Sequence, residues 1–109
     1  MLMAVAKLIQ QTYDRRFSLQ ELSRRAGISV TKFKDAFKEV FGTSPGQMNL
    51  AVRLHGARRL LIETDLGTNK IMDLVNYKLT TSFIEAFHEF FGYYPSQVPR
   101  KLLPRKSGD

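Results

Sequence analysis

The stretch FKDAFKEVFGTSPGQ, residues 33–47, returns fifty residues later as FIEAFHEFFGYYPSQ, residues 83–97. Phe, Ala, Phe, Glu, Phe, Gly, Pro and Gln recur in register, and Asp35 becomes Glu85. A chain of 109 residues has room for little beyond two copies and what joins them. It makes one domain, or two very small ones sharing a core. Whatever fold suits one copy must therefore suit the other.

Each copy carries Phe at i, i+4 and i+8, which sets three rings on one face of a helix. These are Phe33, Phe37 and Phe41, then Phe83, Phe87 and Phe91. Helix punctuation surrounds them. AVAKLIQQTYDRR reads as an amphipathic first helix. Ser18 reads as an N-cap, with Glu21 completing a capping box for LQELSRRA. Gly27 ends that helix in a left-handed residue. Ser29 caps the next helix, which runs to Phe41 and stops at Gly42. Ser44, Pro45 and Gln47 start a long helix ending near Thr64, with Gly67 beyond. Then come NKIMDLV, a break at Asn76, TTSFIEAFHEFF and Gly92. Tyr94-Pro95 opens a last short helix before a basic tail, RKLLPRKSGD. No segment alternates with the period of a strand.

The expected fold is all-α. A short helix, a tight turn and a second helix make a helix-turn-helix unit. Two such units and one long central helix give about seven helices. The expected boundaries are 1–43 for the first unit, 44–64 for the linker helix, 65–104 for the second unit and 105–109 for the tail. In the first unit Leu22 and Ala26 should face Phe33, Phe37 and Phe41, with Ile28 plugging the turn. In the second, Ile71, Val75 and Tyr77 should do the same work for Phe83, Phe87 and Phe91.

Charge narrows the partner. Seventeen Lys and Arg against ten Asp and Glu give a net charge of +7. That favours a polyanion, either nucleic acid or an acidic membrane surface. There is no cysteine, and His55 and His88 stand alone, so no metal cluster and no cofactor is expected. No apolar run approaches the roughly 18 residues of a membrane span. The opening residues lack a basic leader, so the expected compartment is the cytoplasm. An enzyme is not expected, because no nucleophile–base pair or Gly-rich phosphate loop is present.

At about 100° per residue, the face opposite each Phe stripe is polar. The first copy presents Thr31, Lys34, Asp35 and Lys38, and the second presents Thr81, Ile84, Glu85 and His88. Lys suits guanine O6 and N7, Asp or Glu suits cytosine N4, and Thr suits either. One such face is ordinary helix surface. Two in tandem on a basic chain point to DNA.

The segments FSLQELSRRAGISVTKFKDAFKEVFGTSP, RLHGARRLLIETDLG and IMDLVNYKLTTSFIEAFHEFFGYYPSQ resemble, in order, the AraC/XylS family of bacterial transcription regulators. The resemblance covers residues from about 17 to 100. It implies that the second helix of each unit enters a major groove. By that implication the DNA-facing residues are Val30, Thr31, Lys32, Lys34, Asp35 and Lys38, then Lys78, Thr80, Thr81, Ser82, Ile84, Glu85 and His88. It also implies nucleoid-associated work in the cytoplasm. The implied partners are double-stranded DNA, RNA polymerase and an N-terminal sensing domain in a longer protein.

This chain departs from the family pattern in places. Asn76-Tyr77 stands where Gly-Phe is usual, and Thr68 replaces an apolar residue. Glu85 stands for Arg, His88 for Lys, and Gly56 for a helix former. Pro45 to Ile62 is a helix of about 27 Å, against a turn of B-DNA of roughly 34 Å. The expectation is one polypeptide reading two successive major grooves. The alternative is a protein-interaction module on the same fold, its DNA binding weakened through the second unit.

Overall fold

The computed structural model describes residues 2–100. Its helices are α1 (Leu2–Gln10), α2 (Leu19–Ala26), α3 (Val30–Phe41), α4 (Pro45–Glu63), α5 (Thr68–Leu74) and α6 (Thr80–Phe91). A 3-10 turn, Pro95–Gln97, follows. No strand occurs among the described residues. The chain divides into two compact units, one running to Arg53 and the other starting at Leu54, with the division inside α4.

The first unit packs α1, α2 and α3 around Val5, Ala6, Ile9, Leu22, Ala26, Phe33 and Phe37. Phe17, Phe41, Met48 and Val52 pack against that core. Local signals start and stop these helices. Ser18 Oγ accepts the Glu21 amide at 3.0 Å, and Ser29 Oγ accepts that of Lys32 at 3.3 Å. Ser44 Oγ accepts from Gln47 at 3.1 Å. Gly27 and Gly42 close their helices at φ 75° and 74°, where a side chain would be strained.

Three expectations need correction here. α1 ends at Gln10, short of Arg16. After Ile9 the residues Gln10, Gln11 and Thr12 offer nothing apolar to bury. The following loop is instead pinned by Asn49, whose side-chain amide donates to the Arg15 carbonyl at 3.0 Å. The capping box at Ser18 is half made: Glu21 turns its carboxylate to Arg15 and Arg25. And Ile28, whose amide closes the turn on the Ser23 carbonyl at 3.2 Å, is 39% exposed and does not plug it.

The second unit buries Leu54, Ala57, Leu61, Ile71, Val75, Tyr77, Phe83 and Phe87. Here the turn residue does go inside. Tyr77 packs on Phe83 with ring centroids 5.5 Å apart, and Asn76 takes the left-handed φ of 65° that frees the chain to turn. α4 passes through the buried Gly56 unbroken. Past its end, Arg100 donates to the carbonyls of Thr64 and Leu66, both at 2.7 Å. The guanidinium thereby ties down two carbonyls of the loop between α4 and α5. The expected short last helix is the 3-10 turn, with Gly92 at φ 85° before it. The basic tail, with Lys101, Arg105 and Lys106, lies outside the described residues.

Candidate nucleic-acid interface

The Phe stripe orients each second helix of a unit. In α3 the Phe33–Phe37 and Phe37–Phe41 centroids are 5.6 and 4.6 Å apart. In α6 the matching distances are 5.9 and 4.6 Å. Phe33, Phe37, Phe83 and Phe87 have no exposed surface. With those rings inward, the polar residues of both helices are turned out.

On α3, Thr31, Lys32, Lys34, Asp35 and Lys38 are exposed and Val30 is half-buried. Lys34, Asp35 and Lys38 form no ion pair among the described residues. With Glu39 they border a groove of about 670 Å³, floored by Phe17, Leu19, Leu22 and the start of α4 at Ser44–Gly46. The lysine stems can lie along that apolar floor and hold their ammonium groups to solvent. The groove is not legible in the sequence, because residues 17–22, 34–39 and 44–46 have to come together to form it.

On α6, Thr80, Thr81, Ser82 and Glu85 are exposed, as is Lys78 in the turn, while Ile84 and His88 are half-buried. His88 is stacked on Tyr94, with centroids 4.2 Å apart and planes at 24°. The cap differs too. Leu79 stands where the first unit has Ser29, makes no side-chain cap and is 63% exposed. Five residues, 75–79, join α5 to α6, against three, 27–29, between α2 and α3.

The arginines divide by environment. Arg58 donates from Nε to the Tyr93 hydroxyl at 2.6 Å and lies over the Phe91 ring. It is a packing residue, as is Arg100. Arg15 lies 4.2 Å over Phe17. Arg24, Arg25 and Arg59 are exposed. His55 sits edge-on to Phe90 and Phe91, each at 5.3 Å.

A family model described as a helix-turn-helix domain matches residues 22–101, both units included. The chain belongs to that family, the AraC/XylS regulators. As a member it is a DNA-binding domain of a transcription regulator. It is 29% identical over 89 residues to the probable transcriptional regulator LumQ of Photobacterium leiognathi, covering 82% of this chain and 36% of LumQ. It is 27% identical to the regulator ExsA of Pseudomonas aeruginosa, covering 82% of this chain and 32% of ExsA. The chain thus spans about a third of the length of these relatives.

Among solved structures, this AraC-type domain is similar to the C-terminal domain of the two-component response regulator yesN from Fusobacterium nucleatum. The TM-score is 0.79 at 26% identity, over 88% of this chain and 94% of that one. The DNA-binding domain of AdpA, solved in complex with a target DNA, gives a TM-score of 0.80 at 22% identity, over 87% and 86%. At that identity the likeness establishes the fold. No described helix is long and apolar enough to cross a membrane. Among the described residues no group of three or more His, Asp or Glu could hold a metal ion.

Proposed function

We propose that α3 and α6 are the reading helices of this AraC-type domain and that each enters a major groove of one DNA duplex. The observation that carries this reading is the repeated polarity of the two helices. In both, a buried phenylalanine stripe turns the opposite polar face to solvent. Lys34, Asp35 and Lys38 would read or grip DNA from α3, supported at its start by Val30, Thr31 and Lys32. Glu85, Ile84 and His88 would do so from α6, with Lys78, Thr80, Thr81 and Ser82 near the phosphates. The net charge of +7 favours this partner at every approach.

The reading extends to the whole protein. The relatives are about three times as long as the matched part, which supports a domain that works beside an N-terminal sensing domain. RNA polymerase is the proposed second partner, and the nucleoid in the cytoplasm the proposed place of action.

Selection of bound sites from random duplexes tests the two-helix reading. The expected site is asymmetric, because the two faces differ at their reading positions. It should show two informative blocks with centres roughly 10 base pairs apart. A single block, or a perfect inverted repeat, overturns the reading. Binding should also weaken steeply with salt, as lysine and arginine contacts to phosphate require.

A further inference from the structure

Position 94 holds a departure inside the repeat. Ser44, its counterpart in the first copy, uses its hydroxyl to cap the next helix. Tyr94 makes no such side-chain cap. Its ring lies instead on the imidazole of His88, 4.2 Å centroid to centroid and 24° from parallel. The second copy has given up a cap and gained a stack on its reading helix.

The stack is held from a rigid place. The Tyr94 amide donates to Gln97 Oε1 at 2.7 Å, and the Tyr94 carbonyl accepts from the Gln97 amide at 2.9 Å. Buried Pro95 follows directly. Tyr94 is nonetheless 47% exposed, so its ring borders solvent rather than core.

We propose that Tyr94 is a positioning residue for His88, fixing the imidazole so that its in-plane nitrogen is aimed at the DNA as the directional contact of the second unit. The proposal rests on the reading of α6 given above. A phenol over one face of the imidazole leaves the ring edge, where its donor and acceptor lie. The first unit offers Lys38 at the equivalent place, a point charge on a flexible four-carbon stem. The second unit thus exchanges a mobile cation for an oriented hydrogen-bonding group.

Four variants test this on the selected duplex, with a scrambled duplex as the non-specific reference. His88→Ala should weaken the selected duplex and leave the scrambled one nearly unchanged. Tyr94→Phe keeps the ring and should bind as the parent does. Tyr94→Ser restores the hydroxyl of the first copy and removes the ring. It should lose about 2–10-fold in affinity for the selected duplex, the size of an aromatic pair. Its thermal midpoint should stay at or above the parent's, because a capping hydroxyl is stabilising. A role confined to folding would move stability and binding together. The double variant His88→Ala, Tyr94→Ser should bind no more weakly than His88→Ala alone.

If His88→Ala weakens binding and Tyr94→Ser does not, the positioning role is wrong while the α6 reading stands. Equal losses in Tyr94→Phe and Tyr94→Ser would assign the effect to the hydroxyl and also overturn the proposal. If His88→Ala, Glu85→Ala and Ile84→Ala all bind as the parent does, the α6 reading itself fails.

Discussion

Helices α3 and α6 carry the same phenylalanine stripe at nearly the same ring spacings and share the exposed pairs Thr31/Thr81 and Glu39/Glu89, yet they differ at most other places that meet solvent. Three linking residues precede α3, the last of them a serine cap. Five precede α6, the last of them an exposed leucine. α3 shows Lys34, Asp35 and Lys38, a charge of +1. α6 shows Ile84, Glu85 and His88, a charge of −1 with the imidazole neutral. The duplication has held where rings must interdigitate, since close-packed interiors tolerate little change in volume or shape. It has drifted where the side chain faces water. Equivalent cores and unlike faces are what a two-headed reader of an asymmetric site requires.

The largest test of that equivalence is in the cores. Phe37→Ala and Phe87→Ala should each destabilise their unit by about 3–5 kcal/mol. Urea unfolding checks this, and a loss at Phe87 below half that at Phe37 breaks the equivalence.

Next in size is the difference between the faces. Lys34→Ala should cost about 1–3 kcal/mol of binding to the selected duplex. Glu85→Ala should cost less, because it removes a negative charge facing a polyanion. Titration of the two variants against one duplex decides the order. A larger loss at Glu85 would make the second unit the dominant reader.

The caps sharpen the comparison further. Ser29→Ala should lose roughly 1 kcal/mol of stability, while Leu79→Ser should gain a comparable amount by supplying the cap α6 lacks. Thermal melting with opposite signs for the two is the expected result. If Leu79→Ser is destabilising, the leucine has a packing role that its exposure hides.

The smallest effect concerns the surface ion pairs of the first unit, which have no counterpart among the described residues of the second. Arg15 and Arg25 flank Glu21 with side chains 43% and 53% exposed. Glu21→Ala should therefore change stability by less than about 1 kcal/mol. A larger loss in the melting curve would show that the loop before α2 depends on this carboxylate.

What could be read from the sequence alone is local or periodic. Ser18, Ser29 and Ser44 cap across three residues. Gly27, Gly42, Gly92 and Asn76 take left-handed backbone next to the helices they close. The phenylalanine spacing repeats every helical turn. Each depends on neighbours within about one turn of chain, so a string of letters contains the whole physical cause. Tertiary structure decided the rest. Ile28 and Tyr77 close matching turns through the same amide-to-carbonyl bond, yet one is 39% exposed and the other 6%. Arg58 and Arg100 are taken into packing by partners 34 to 36 residues away along the chain. In sequence His88 is only a substituted lysine; the fold lays Tyr94 on its ring. An apolar or long charged side chain has many places to go that satisfy its own chemistry. Which one it takes depends on what the folded chain brings beside it, and local sequence does not encode that.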